Sequence, residues 1–233
     1  MSRFKAFSLA EVLIVVALIG VVASLTIPNV SSNMEEHKSI SALRKIYPEL
    51  EAAYNDIIAE HGKPIEWSVS NTSSKTELAE QMYNYTREKL NVTKVCSNGT
   101  GCFKSYNELE TAADHVNYYK MILKDGAFLA VGMQRMGDIR NNVKNNTLSE
   151  DFCRGYMGKY IVDVNGMKGE NAPGYDIFEF YMCYDTGLTP DGDTPDGPKT
   201  TAGVGTAWAL KAGNRDYLKC ASSLNWNTKR SCK

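Results

Sequence analysis

The feature that most constrains this chain is an apolar run near its start that contains one carboxylate. The sequence opens Met-Ser-Arg-Phe-Lys-Ala and continues FSLAEVLIVVALIGVVASLTIPNV over residues 7–30. Between Phe7 and Ile27 the only ionisable side chain is Glu11. As a helix that stretch would be about 30 Å long at 1.5 Å per residue, the thickness of a bilayer's hydrocarbon core. Arg3 and Lys5 would keep its N-terminal end cytoplasmic, placing the rest of the chain outside. A secretory signal peptide explains the basic start and the apolar run. It explains less well the length, the early carboxylate and the lack of a small-x-small cleavage site. A plain membrane anchor leaves Glu11 without a purpose. A carboxylate in hydrocarbon costs roughly 3 kcal/mol on insertion scales, so a partner is expected from another chain or from the protein's own processed terminus.

Six cysteines (Cys96, Cys102, Cys153, Cys183, Cys220 and Cys232) suit disulfides in an oxidising compartment. Zinc would favour CxxC or CxxH pairs, and neither occurs. Cys96 and Cys102 are the easiest local pair, because Gly99 and Gly101 let the chain turn. Cys220 and Cys232 could close a C-terminal loop, leaving Cys153 with Cys183.

The short basic leader, Ala6, Phe7, Ser8, Leu9, Glu11, the unbroken apolar stretch, Gly20 and Pro28 together resemble the type IV prepilin family, which includes the pseudopilins of type II secretion. The resemblance implies cleavage between Ala6 and Phe7 by a prepilin peptidase and methylation of the new Phe7 amine. It also implies that Glu11 pairs with that amine on a neighbouring subunit during assembly. The family usually has Gly before the cut, where this chain has Ala6. In the family the stretch between the equivalents of Gly20 and Pro28 can lose helical structure in filaments, and glycine is intrinsically weak in a helix.

Beyond Pro28 the pattern stays helical. Ile40, Leu43, Tyr47, Leu50, Tyr54 and Ile57 form one apolar stripe, and Gly62 and Pro64 mark its end. The reading is one helix over residues 7–61, apolar all round and then amphipathic, with kinks at Pro28 and Pro48. Ser74-Lys-Thr-Glu77 is a capping box opening a second helix. Residues 115–123 and 127–133 read as a hairpin around Asp125-Gly126, and 160–164 and 176–182 as further strands. Residues 138–147 read as an Asn-rich loop and 186–205 as a long surface loop. Residues 207–210 and 217–221 could add edge strands. The fold class is α+β: a long N-terminal helix packed on an antiparallel sheet, pilin-like. The parts are a leader at 1–6, a hydrophobic transmembrane and filament-core helix at 7–30, its amphipathic continuation at 31–62, and a head at 63–233.

Oxygen-bearing side chains cluster at 163–176. Asp163, Asn165, Asn171 and Asp176 could offer ligands to Ca2+, and the loop resembles turns of pseudopilin heads. The preferred reading is that Asp163 and Asn165 cap tight turns. Asp191, Asp193 and Asp196 form a second acidic cluster, read as a solvated loop. The chain has no HExxH, GxSxG, P-loop or Rossmann fingerprint, so an enzyme is not expected. A net charge of −1 gives no broad pull toward nucleic acid. The expected partners are other copies or homologous pilin subunits, the prepilin peptidase, and the inner membrane with its assembly machinery. The expected location is a single pass of the inner membrane, then a periplasmic or surface filament. The alternative is a membrane-tethered binding module or adhesin that acts through its head.

Overall fold

The computed structural model describes residues 9–104, 109, 114–146, 148–150, 152–168, 171–194 and 205–232; over 25–33 and 148–150 it describes the backbone alone. The chain divides into two compact units, Met1–Lys38 and Ser39–Lys233. Helix α1 (Leu9–His61) contributes to both, and neither Pro28 nor Pro48 ends it. In the first unit every residue from 9 to 22 is exposed.

The second unit is built on an antiparallel sheet. Its elements are α2 (Lys75–Lys89), β1 (Val92–Ser97), β2 (Tyr118–Leu123), β3 (Phe128–Met133), α3 (Met136–Lys144), β4 (Leu148–Glu150), β5 (Cys153–Arg154), β6 (Tyr156–Asp163), β7 (Ile177–Cys183), β8 (Gly187–Pro190), α4 (Thr206–Ala212) and α5 (Tyr217–Cys220). Six strands pair in the order β1-β2-β3-β6-β7-β8, and β4 and β5 form a separate pair. The capping box is present: Ser74 Oγ accepts from Glu77 N, and Glu77 Oε2 accepts from Ser74 N.

The apolar stripe of α1 explains how the sheet is covered on its inner face. Ile40, Leu43, Leu50, Tyr54 and Ile57 are buried, joined by Ile46, in one core with Met121, Leu129, Val131, Tyr160, Val162, Phe178, Phe180 and Met182. Tyr47 lies flat on Phe180, with ring centres 5.4 Å apart. The opposite face is buried too. Tyr118, Phe128, Ala130, Ile161 and Ile177 pack with Cys102, Phe103 and Leu109, and Tyr181 and Cys183 pack with Phe152 and Cys153. A sheet covered on both faces reads as nearly continuous apolar sequence, as FLAVGM in β3 does. Edge strand β1 carries two register irregularities and the exposed Lys94, features that discourage edge-to-edge pairing.

Three disulfides join Cys96 to Cys102, Cys153 to Cys183 and Cys220 to Cys232, with Cα separations of 6.0, 5.3 and 5.8 Å. These are the pairs named above from the sequence.

Several expected elements differ. The Asn-rich loop is helix α3, because Met136 and Ile139 sit one turn apart and are buried in the main core. The long surface loop contains β8, whose Leu188 and Thr189 are buried; its residues 195–204 lie outside the described ones. The two expected edge strands are helices α4 and α5. Gly213, at φ 75°, ends α4 by donating its N–H to Ala209 O. The segment before β2 is a 3-10 turn, Asp114–Asn117, rather than strand. Strand β1 was not expected.

Lys120 is an unusual passenger in β2. It is 2% exposed, and its Nζ donates to Asn98 O at 3.2 Å and His115 O at 2.9 Å. Burial pulls its ammonium down to about 8. An unfolded lysine titrates near ~10.4, so between those values the unfolded chain holds the extra proton. By linkage, the cost of burying Lys120 is full below pH 8 and is relieved as pH rises through that window. Urea midpoints of wild type and Lys120→Met should therefore shift relative to each other, with wild type gaining on the variant from about pH 7.5 to about pH 9.5. A difference independent of pH would contradict this.

Candidate functional site: an uncovered apolar helix and a locked loop

In a water-soluble helix, apolar side chains occupy one stripe. Here Val12, Leu13, Ile14, Val15, Val16, Leu18, Ile19, Val21 and Val22 occupy every face, and with Leu9 they are 48% to 79% exposed. Fully burying such a side chain is worth roughly 1.5–3 kcal/mol. Covering this surface would therefore stabilise the chain by on the order of 10 kcal/mol, since about half of each side chain remains to be covered. Among the described residues no helix is long and apolar enough to cross a membrane. The described side chains of the apolar stretch, residues 9–24, span about 24 Å at 1.5 Å per residue.

Glu11 is exposed in the first described turn of α1. A Cβ placed on Gly20 would meet nothing within 4 Å. No packing among the described residues demands this glycine, although it costs about 1 kcal/mol relative to alanine in a helix. Pro28 lies in helical backbone whose side chains are outside the described set, and Ala6 and Phe7 lie outside the described residues.

With this geometry in view, one comparison is informative. Residues 1–27 match the prokaryotic N-terminal methylation motif. Those residues are a type IV prepilin-like signal. The signal supports a type IV pilin-like protein processed as a prepilin. It also implies a prepilin peptidase and other pilin subunits as partners. No curated protein and no solved structure matches the chain. The matched residues include Phe7, Glu11 and Gly20, and the match does not extend beyond residue 27.

In the head, the structure does bring Asp163, Asn165, Asn171 and Asp176 together. Asp163 Oδ1 accepts from Asn165 N at 3.1 Å and Gly166 N at 2.8 Å, and its Oδ2 accepts from Asn171 Nδ2 at 2.5 Å. Asp176 Oδ1 accepts from Ala172 N at 2.7 Å; its Oδ2 accepts from Asn171 N and Asn165 Nδ2, both at 3.1 Å. Every carboxylate oxygen thus faces an N–H donor. Asn165 Oδ1 and Asn171 Oδ1 are buried with no hydrogen-bond donor among the described residues. Calcium needs six to eight converging oxygens, and here the charged ones are engaged by the loop's own N–H groups. The donor set fits a lock on a tight turn better than a cation cage. Gly166, at φ 65°, is part of the lock, because a Cβ there would meet Gly126 O at 2.7 Å. Ser39 Oγ donates to Tyr175 O at 2.7 Å and tethers the loop to the head's share of α1.

The second acidic cluster is partly structural rather than solvated. Asp191 is 1% exposed and its Oδ2 accepts from Gly205 N, while Asp193 pairs with Lys211. Asp196 is outside the described residues. Among the described residues no group of three or more His, Cys, Asp or Glu could hold a metal. Sequence reading passed over the buried pair Lys159–Glu179. The available signal was one charge inside each of two apolar strands, YMGKYIVD and IFEFYMC.

Asp176→Ala removes the acceptor of three N–H groups and should destabilise the head by about 2–4 kcal/mol. Thermal melting of the full-length chain would show it, with the same loss in calcium and in chelator. A melt that rises only with calcium in wild type would contradict the lock.

Proposed function

We propose that this chain is a structural subunit of a type IV pilus or a type II secretion pseudopilus. The observation that carries the reading is the coincidence of the prepilin-like signal with a helix that is apolar on every face. Residues 1–6 are a leader removed before Phe7, whose amine is then methylated. Residues 7–30 sit first in the inner membrane, held by Arg3 and Lys5 at the cytoplasmic side. They then pass into a filament core, where copies of the helix cover one another and remove the exposed apolar surface from lipid. Residues 31–62 carry the helix onward, and 63–233 are the head outside the cytoplasm.

In a low-dielectric core an ammonium–carboxylate pair between subunits is strong and directional. Glu11 on one copy meeting the Phe7 amine of the next would set the axial stagger of the helices. Gly20 and Pro28 form the weak point at which α1 can unwind as subunits enter the filament.

Glu11→Ala should leave leader cleavage and membrane insertion intact while abolishing incorporation. Immunoblots of sheared filaments against membrane fractions would read this directly. Wild-type filament yield from Glu11→Ala would overturn the assembly role.

A further inference from the structure

The chain holds two Asn–Gly pairs, Asn98–Gly99 and Asn165–Gly166. In such a pair the glycine nitrogen can close a five-membered ring on the neighbouring carboxamide, because no side chain on the glycine stands in the way. The fold treats the two pairs in opposite ways. Asn165 Nδ2 donates to Asp176 Oδ2 at 3.1 Å, and Gly166 N donates to Asp163 Oδ1 at 2.8 Å. That carboxamide is held, and a Gly166 nitrogen that lost its proton would set a negative charge beside the Asp163 carboxylate.

Asn98–Gly99 lies in the turn that Cys96–Cys102 closes. Ser97 takes left-handed backbone at φ 49°, and Gly99 N donates to Cys96 O at 2.9 Å. Asn98, Gly99 and Thr100 are all exposed, so water reaches the pair. The oxygen of the same peptide group meets a cation instead. Lys120 is 2% exposed, and its Nζ donates to Asn98 O at 3.2 Å and to His115 O at 2.9 Å. Both of these acceptors are uncharged carbonyls. Burial lowers the ammonium only to about 8, so it keeps its charge at neutral pH. An ammonium on a peptide oxygen draws electron density from the whole peptide group. It eases loss of the proton from Gly99 N and leaves the Asn98 carbonyl carbon open to attack. One Asn–Gly pair thus faces a carboxylate and the other a cation.

We infer that Asn98 converts itself to isoaspartate, with Lys120 as the electrophilic group. In the first step Gly99 N gives its proton to water and bonds to Asn98 Cγ. The Cγ–Nδ2 bond breaks, and the nitrogen leaves as ammonia with a proton from water, which yields a succinimide. In the second step water adds to the ring carbon whose oxygen Lys120 holds. The bond from that carbon to the Gly99 nitrogen breaks, and the chain now runs through Cγ. One water is consumed, one ammonia is released, and nothing is oxidised or reduced. The oxygen that Lys120 grips becomes part of a carboxylate, so the product supplies the buried ammonium with a counter-ion. The conversion does not depend on filament assembly.

The test incubates the full-length chain in detergent at neutral pH, folded or in urea, and maps its peptides by mass spectrometry. Electron-transfer fragmentation tells isoaspartate from aspartate. In the folded chain Asn98 should become mainly isoaspartate while Asn165 keeps its amide. In urea, where Lys120 no longer reaches the turn, Asn98 should convert about tenfold more slowly than in the folded chain. Lys120→Met should lower the folded rate by about the same factor. The comparison of folded and urea-treated wild type stands even if Lys120→Met does not fold. An Asn98 that keeps its amide, converts no faster folded than in urea, yields mainly aspartate, or is unaffected in a folded Lys120→Met would overturn the inference.

Discussion

The interaction on which this protein depends is one the described chain does not complete within itself: the burial of an apolar helix surface that runs round every face. A one-sided stripe can be satisfied by a sheet, as the stripe from Ile40 to Ile57 is. A surface such as that of Val12 through Val22 has no preferred direction, so its cover must surround it, as lipid or a bundle of like helices does. Part of α1 thus builds the head's core, and part carries surface that calls for company.

The head can do without that company because its own surfaces are closed by other means. Its sheet is buried on both faces. Three disulfides cross-link the chain, and such links restrict the unfolded state. The loop between β6 and β7 is fixed by two aspartates that gather its N–H groups. These devices hold the second unit together without help from residues 9–24.

Much of the architecture was legible because period and burial agreed. The α1 stripe, the α2 capping box and the Asp125-Gly126 hairpin each combine a local signal with the burial that rewards it. The sequence misled where burial overrode local preference. Asparagines made α3 resemble a loop, although Met136 and Ile139 bind it to the core. Leu188 and Thr189 made a strand inside a Gly- and Pro-rich stretch because β7 offered them a partner. Short apolar pieces became α4 and α5 instead of strands; Gly205 and Gly213, both at positive φ, bracket α4 and were the signal that could have shown it. Of the proposed assembly segment, Glu11 and Gly20 were legible from the N-terminal pattern. The Lys159–Glu179 pair was not, because only the cross-strand register brings its residues together.

The central claim is that the mature chain begins at Phe7 and assembles through the helix that follows. Intact-mass and N-terminal fragment spectrometry of the protein from cells with and without prepilin peptidase tests it most directly. The account predicts a chain starting at N-methylated Phe7 when the peptidase is present, and an uncut chain retaining residues up to Ala6 when it is absent. A chain cut at some other residue, or one that keeps its leader in the presence of the enzyme, would contradict it.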